Sequence, residues 1–385
     1  MIAGRSGVVL LGATGSIGRS TLRVIDRHRD RFRVVAMTAG SRAEALDELA
    51  VQTDPDYVVV ARRPSGAFKA RWAGEWRFGR EALAEAAADP QAELVVNALV
   101  GYAGLESTLA ALRAGHRLAL ANKESLVAGG ELVLTAWRDG HGDLVPVDSE
   151  HSAIHQCLAG RPAAEVSRLI LTASGGPFRE LPADRFAAIR PEDALAHPTW
   201  SMGDKITIDS ATMANKALEV IEAHLLFGVP YDRIEIVVHP SSIVHSFVEF
   251  RDGSTMAQMG RPSMEVPILY ALSGPERLPD EFRPFDPISD GPLEFQALRS
   301  AQFPMFGLGV AAGRQGGTQP AAYNAANEVA VRAFLDRRLS FPGIAGVVEE
   351  VLERMSARPV KSIEDVEAAD FEARALAREA VHRVR

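Results

Sequence analysis

The sequence predicts an α/β protein in three parts: a doubly wound parallel sheet over residues 1–150, a central α+β region over 151–273, and a helical region over 303–385, with 274–302 as a linker. Three observations carry this. Residues 7–147 alternate short β-rich runs with amphipathic stretches, the pattern of successive βα units. Strand candidates then cluster among Gly, Pro, Ser and His, interrupted by one strong helix. From Phe303 onward the periodicity is helical.

In the first part the strand candidates are Val8–Leu11, Arg33–Thr38, Tyr57–Ala61, Leu94–Leu99, Arg117–Leu120 and Leu144–Val147. Between them lie helical candidates at Ile17–Arg27, Ala43–Gln52, Ala67–Trp72, Glu81–Ala88, Leu105–Ala114 and Glu131–Arg138. Runs such as Val8-Val-Leu-Leu11 are apolar on both faces, as strands covered by helices on both sides must be. The second part holds strand candidates Leu169–Thr172, Ile234–Val238, Ile243–Phe250 and Thr255–Met259, with a hairpin signal at Arg251-Asp-Gly-Ser254 and a helix over Ala211–Phe227. Five prolines between 274 and 303 mark the linker, and helices follow over Pro320–Arg338, Gly343–Met355 and Ile363–Val384.

The 385 residues exceed one core. A net charge of −8 argues against nucleic-acid or anionic-membrane binding. The single cysteine, Cys157, excludes an intrachain disulfide framework and fits a reducing compartment. No apolar stretch is long enough to span a bilayer, so a cytoplasmic protein is expected.

The first strand runs into Gly12-Ala-Thr14-Gly15-Ser16-Ile17-Gly18 and then a helix. Glycines let the backbone turn tightly and approach a pyrophosphate, while the helix N-terminus offers free N–H groups, so the sheet is expected to be Rossmann-like. The second strand ends in Gly40-Ser41-Arg42, with no acidic residue for a ribose 2′-hydroxyl; Ser41 and Arg42 suit a 2′-phosphate and predict NADPH over NADH.

Asp148-Ser149-Glu150 closes an apolar run. If the strand continues, residues 148 and 150 share a face, and two adjacent carboxylates call for a cation or a shared proton. With Glu219 as a third oxygen ligand, Mg²⁺ or Mn²⁺ is the better match, and Co²⁺ also fits. After the fifth strand come Asn122 and Lys123, placed for the nicotinamide side and a substrate oxygen. Ser174, Ser210, Asn215 and Lys216 form a neutral-donor-plus-cation set suited to phosphate. On a helix, Asn215 and Glu219 share a face. Trp200, in the loop 197–205, reads as a lid residue that could cover a substrate, with Gly203 as its pivot. Cys157 reads as a small buried residue, not the nucleophile that acylating semialdehyde dehydrogenation needs.

The motifs Leu120-Ala-Asn-Lys-Glu-Ser125, Val147-Asp-Ser-Glu-His151, His197-Pro-x-Trp-Ser-Met-Gly203 and Ser210-Ala-Thr-Met-x-Asn-Lys-x-Leu-Glu219, in this order, resemble the 1-deoxy-D-xylulose 5-phosphate reductoisomerases over essentially the whole chain. The resemblance implies an NADPH- and divalent-metal-dependent enzyme, usually a homodimer, acting on a small phosphorylated sugar. It would rearrange 1-deoxy-D-xylulose 5-phosphate to an aldehyde and reduce that to 2-C-methyl-D-erythritol 4-phosphate, in the non-mevalonate route to isoprenoids. By resemblance, Asp148, Glu150 and Glu219 carry the metal, and Ser149, Ser174, His197, Ser210, Asn215 and Lys216 hold the substrate. Thr14, Gly15, Ser16, Ile17, Gly40, Ser41, Arg42, Asn122, Glu124 and Gly203 would line the cofactor site. Lys123 would support the reacting oxygens and Glu150 would move a hydroxyl proton. Many members carry Lys or Arg then Asn after the equivalent of Gly40, where Ser41 and Arg42 stand here.

Overall fold

The computed structural model describes residues 4–64, 68–197, 199–200 and 202–383. By packing, the chain forms two compact units that interleave in sequence: residues 1–125, 133–152 and 263–282 make the first, and 126–132, 153–262 and 283–385 the second.

The first unit is built on seven strands: β1 (Ser6–Leu11), β2 (Phe32–Ala39), β3 (Tyr57–Val60), β4 (Glu75–Phe78), β5 (Leu94–Asn97), β6 (Arg117–Leu120) and β7 (Leu144–Pro146). Their order is β4-β3-β2-β1-β5-β6-β7, and every pair is parallel. Chain order reverses at β1, which has β2 on one side and β5 on the other; ligands of open α/β sheets bind at such a switch point. The connecting helices are α1 (Ser16–Arg27), α2 (Ala43–Thr53), α3 (Glu81–Ala87), α4 (Leu105–Arg113), α5 (Lys123–Gly129), α6 (Glu131–Gly140) and α7, which opens at Ser149 and runs to Leu158. Val8, Val58 and Val96 on one face and Val9, Val59 and Val95 on the other are fully buried, so both sheet faces are covered.

The expected helix at 67–72 does not form. Residue 67 lies outside the described residues, and 68–74 are irregular. Asp47 in α2 explains it: its carboxylate accepts the backbone N–H groups of Arg71 (3.0 Å) and Trp72 (2.9 Å), donors a helix would need inside itself. Strand β4, too short to stand out in the sequence, follows at once and pairs with β3.

The second unit has a mixed sheet of β8 (Val166–Ala173), β9 (Ile234–Val238), β10 (Val244–Phe250), β11 (Thr255–Met259) and β12 (Gln296–Ala297), ordered β11-β10-β8-β9-β12. Helices α8 (Pro191–Leu195), α9 (Asp204–Thr212) and α10 (Ala214–Phe227) follow β8. The single helix expected over 211–227 is therefore two. Met213, at φ +65°, ends α9 in the left-handed conformation and starts α10. Helix α11 (Glu265–Ser273) belongs to the first unit, where Ile268, Leu269 and Leu272 enter the sheet core and Glu265 pairs with Arg23 (2.7 Å) and Arg27 (2.8 Å) of α1. The helical tail comprises α12 (Pro304–Gln315), α13 (Gln319–Leu335), α14 (Phe341–Arg354) and α15 (Ile363–Arg383). Gly309 and Gly313 let α12 lie tight on α10: a Cβ on either would come within 2.6 Å of Ala217 or Ile221.

Candidate functional site

The switch point of the first unit opens into a cavity of about 530 Å³, lined by Gly12, Thr14 and Gly15 after β1, by Gly40, Ser41 and Arg42 after β2, and by Ala98–Val100 after β5. Each glycine has a separate reason. Gly12 sits at φ +83°, and a Cβ there would stand 2.5 Å from the Ala98 carbonyl oxygen. A Cβ on Gly18 would strike the Gly12 carbonyl at 2.4 Å, so Gly18 lets α1 pack onto the turn. At Gly15 the nearest atom to such a Cβ is 3.4 Å away, and Gly15 is the N-cap of α1 without a side-chain cap. No acid occupies the first turn of α1, so its N–H groups and positive end are left for an anion. Ser16 is exposed on that turn and Ile17 packs against the sheet core. A dinucleotide pyrophosphate fits this cradle.

Sequence reasoning missed Arg62 and Arg80, which also line the cavity. Their signal was positional, since each follows the carboxyl end of a parallel strand, but β4 had not been recognised. It also missed Asn97, fully buried at the end of β5. Its amide donates to Gly104 O (3.1 Å) and Thr108 Oγ1 (2.9 Å), while its Oδ1 accepts from the Leu99 N–H (3.2 Å), which shapes the loop beside the cavity. Asn122 is buried after β6 and donates to Gly101 O (2.9 Å) and Glu124 (3.0 Å). Its visible work is to brace that same loop.

At the end of β7 the strand argument for Asp148 and Glu150 fails. The strand stops at Pro146, and the Asp148 carbonyl takes the Ser152 N–H at 2.8 Å, so Asp148 is the N-cap of α7 and Glu150 lies in its first turn. The two carboxylates are neighbours through a helix start, where the backbone dipole favours negative charge. Lys123 donates to Asp148 Oδ2, and His151 Nδ1 stands 3.4 Å from Oδ1. Burial pushes the Asp148 carboxyl up, but the Lys123 ammonium and His151 outweigh it and hold it well below the usual range. The Ser149 hydroxyl donates to Glu150 at 2.5 Å. Asp148 and Glu150 are hard oxygen donors, and Asp148 Oδ1 is buried without a hydrogen bond of its own, as a ligand for Mg²⁺ or Mn²⁺ requires.

In the second unit, β8 ends in Ser174-Gly175-Gly176, both glycines at positive φ. A Cβ on Gly176 would lie 2.9 Å from the Ser210 carbonyl, so the turn seats against the end of α9. Nearby, Lys216 is 4% exposed and donates to Thr172 O (2.6 Å) and to Glu219, which is 1% exposed and also accepts from Asn215. This is no surface ion pair. Burying both charges costs several kcal/mol of desolvation per ion, so stability alone gives little reason for it. Asp209, likewise buried, accepts from Lys205 (2.6 Å) and from Asn327 of α13 (2.8 Å) and ties the start of α9 to the helical tail. Gly203 is the exposed N-cap of α9.

His197 Nδ1 accepts the backbone N–H groups of Thr199 (3.1 Å) and Trp200 (2.9 Å), so its proton sits on Nε2 and points to Ser174 Oγ at 3.1 Å. Burial pushes the His197 pKa below its ordinary value. The unfolded chain then binds this proton first, and the contribution of His197 to stability is complete above about pH 6.5 and lost as pH falls through the folded value. Wild type should therefore lose more melting temperature than His197→Gln between about pH 7.5 and about pH 5. A constant difference between the two would contradict the lowered pKa of His197. Trp200 is half-buried; residues 198 and 201 of this loop lie outside the described residues.

A glycine turn feeding an uncapped helix at the switch point of a parallel sheet places the chain among the dinucleotide-dependent oxidoreductases. Comparison narrows that class. Family models described as 1-deoxy-D-xylulose 5-phosphate reductoisomerase match residues 8–130, and those of its C-terminal domains match 144–227 and 259–376. The 1-deoxy-D-xylulose 5-phosphate reductoisomerase of Geobacillus kaustophilus is 50% identical over 380 residues, covering 96% of this chain and 98% of that protein. A solved structure of the enzyme from Zymomonas mobilis in complex with NADPH superposes with a TM-score of 0.91 at 43% identity, covering 98% of this chain and 99% of that one. Another, of a DOX-P reductoisomerase in complex with NADPH, fosmidomycin and magnesium, gives a TM-score of 0.91 at 38% identity, covering 98% of both chains. This chain belongs to the 1-deoxy-D-xylulose 5-phosphate reductoisomerase family.

Proposed function

We propose that the chain converts 1-deoxy-D-xylulose 5-phosphate to 2-C-methyl-D-erythritol 4-phosphate, oxidising NADPH, with a divalent cation held by Asp148, Glu150 and Glu219. Beside the family membership, one observation carries the reading. Each unit holds a buried lysine–carboxylate pair at a helix start: Lys123 with Asp148, and Lys216 with Glu219. Buried pairs of this kind cluster at functional sites.

A bound Mg²⁺ or Mn²⁺ supplies Lewis-acid stabilisation of negative charge on substrate oxygens. Lys123 adds a second positive group to the same oxygens. Glu150, oriented by Ser149, moves a substrate hydroxyl proton during the rearrangement. Ser174 Oγ accepts from His197 and from the Gly176 N–H (3.3 Å), which leaves its own hydrogen for the substrate phosphate. Ser210, Asn215 and Lys216 complete that phosphate set, and binding energy gained there is usable at the reacting carbons. Thr14, Gly15, Ser16 and Ile17 hold the pyrophosphate, Gly40, Ser41 and Arg42 the adenosine end, and Asn122, Glu124 and Gly203 the nicotinamide end. The nicotinamide carries the hydride, and the protein orients it.

Trp200 closes over the substrate. Trp200→Ala should raise KM or lower kcat at unchanged melting temperature; an unaltered kcat/KM removes the lid. We also propose a homodimer. The support is β11, an edge strand whose Met256 and Met259 are 38% and 37% exposed, an arrangement that soluble proteins usually cover. Sedimentation should give twice the chain mass, and a monomer at micromolar concentration contradicts it. Among the described residues no helix is long and apolar enough to cross a membrane, and a single, buried cysteine, Cys157, fits the reducing cytoplasm. The function is tested by NADPH consumption on adding the pentulose phosphate.

A further inference from the structure

The cavity at the switch point carries an unbalanced charge. Arg42, Arg62 and Arg80 all line it, and its described lining holds no acidic side chain. Among the described residues no carboxylate pairs with any of the three. That is unusual in a chain of net charge −8 whose other arginines form many ion pairs. Like charges converging on one concave surface raise the local potential and attract an anion.

Backbone pairing beyond the strand ends sets their placement. Ala61 N–H donates to Ala39 O (2.9 Å) and Arg62 N–H to Gly40 O (2.8 Å), so Arg62 stands directly beside the Gly40-Ser41-Arg42 turn. Gly79 N–H donates to Val60 O (3.1 Å), which brings Arg80, the residue before α3, to the same edge. The three arginines therefore follow the carboxyl ends of three adjacent strands, β2, β3 and β4, spaced about 4.8 Å apart. All lie on the β2 side of the glycine turn, the side away from β5 to β7. The pyrophosphate is already provided for by the N-terminus of α1. A second anionic group, farther along the nucleotide, is needed to satisfy this cluster.

We propose that Arg62 and Arg80, together with Arg42, form the clamp for the 2′-phosphate of the adenosine ribose and are the specificity-determining residues for NADPH over NADH. The proposal rests on the reading of this cavity as the cofactor site. Guanidinium groups suit a phosphate because their donors are planar and engage its oxygens in pairs.

The test is calorimetric titration of the full-length protein with NADPH, NADH, 2′-AMP and 5′-AMP, for wild type, Arg62→Ala, Arg80→Ala and the double variant. Each single substitution should weaken NADPH and 2′-AMP about tenfold, the scale of one lost charge-assisted phosphate contact. NADH and 5′-AMP should change less than about twofold, a selectivity that a general loss of folding would not produce. Arg62→Lys should recover part of the NADPH affinity. Equal weakening of both dinucleotides, or unchanged NADPH affinity in the double variant, overturns the clamp while leaving the cofactor site standing. Wild type binding neither dinucleotide overturns the cofactor reading itself.

Discussion

Replacing Glu219 with Gln should lower kcat/KM for the pentulose phosphate by roughly 10³-fold, the scale expected when a ligand to a catalytic cation is neutralised. The side chain keeps its shape, so the loss reads charge. A second consequence is structural. Lys216 is buried and donates to Glu219 and to the Thr172 carbonyl; the substitution takes the Glu219 charge from beside it. Breaking a buried pair by removing one partner costs about 3–5 kcal/mol, and the retained amide should hold the loss near the lower end. NADPH affinity should be unaffected, because Glu219 neither lines the switch-point cavity nor belongs to the proposed nicotinamide end. Steady-state kinetics, urea unfolding and an NADPH titration separate the three. A Glu219→Gln enzyme turning over within a few fold of wild type would remove Glu219 from the metal site.

Gly12→Ala should cripple the nucleotide site and the fold together. At φ +83° any side chain is strained by about 1–3 kcal/mol, and the new Cβ would press on the Ala98 carbonyl at 2.5 Å. Ala98 is backbone at the carboxyl end of β5, so relief must come from moving the cavity wall. Loss of roughly 2–4 kcal/mol of stability is expected, with KM for NADPH raised about ten- to hundredfold. Gly40→Ala is the stability control. Its Cβ would meet nothing within 4 Å, and its φ is not positive, so its unfolding free energy should stay within about 0.5 kcal/mol of wild type. Equal stability losses at the two glycines would contradict the steric account.

Most of the first unit was legible because parallel strands buried on both faces leave near-continuous apolar runs, and its helices leave a clear amphipathic stripe. What escaped did so for local reasons. β4 is four residues long, and the stretch before it looked helical until Asp47, in another helix, captured its N–H groups. Met213 breaks a run with no Gly or Pro to announce it. The pairing of Asp148 with Glu150 was anticipated for the wrong reason: strand alternation was invoked where a helix N-terminus does the work. Arg62, Arg80 and Asn97 stand in no motif, and only the strand order and packing reveal them. His197 was named by resemblance, but the partners of its two ring nitrogens had to be seen.

The most direct measurement is absorbance at the NADPH band as 1-deoxy-D-xylulose 5-phosphate is added to metal-stripped protein, before and after Mg²⁺ is restored. The expected result is no turnover without the cation and one NADPH consumed per substrate with it. Undiminished turnover in the presence of EDTA, or a silent enzyme with Mg²⁺, NADPH and substrate all present, would contradict the assignment of Asp148, Glu150 and Glu219 to a shared catalytic cation.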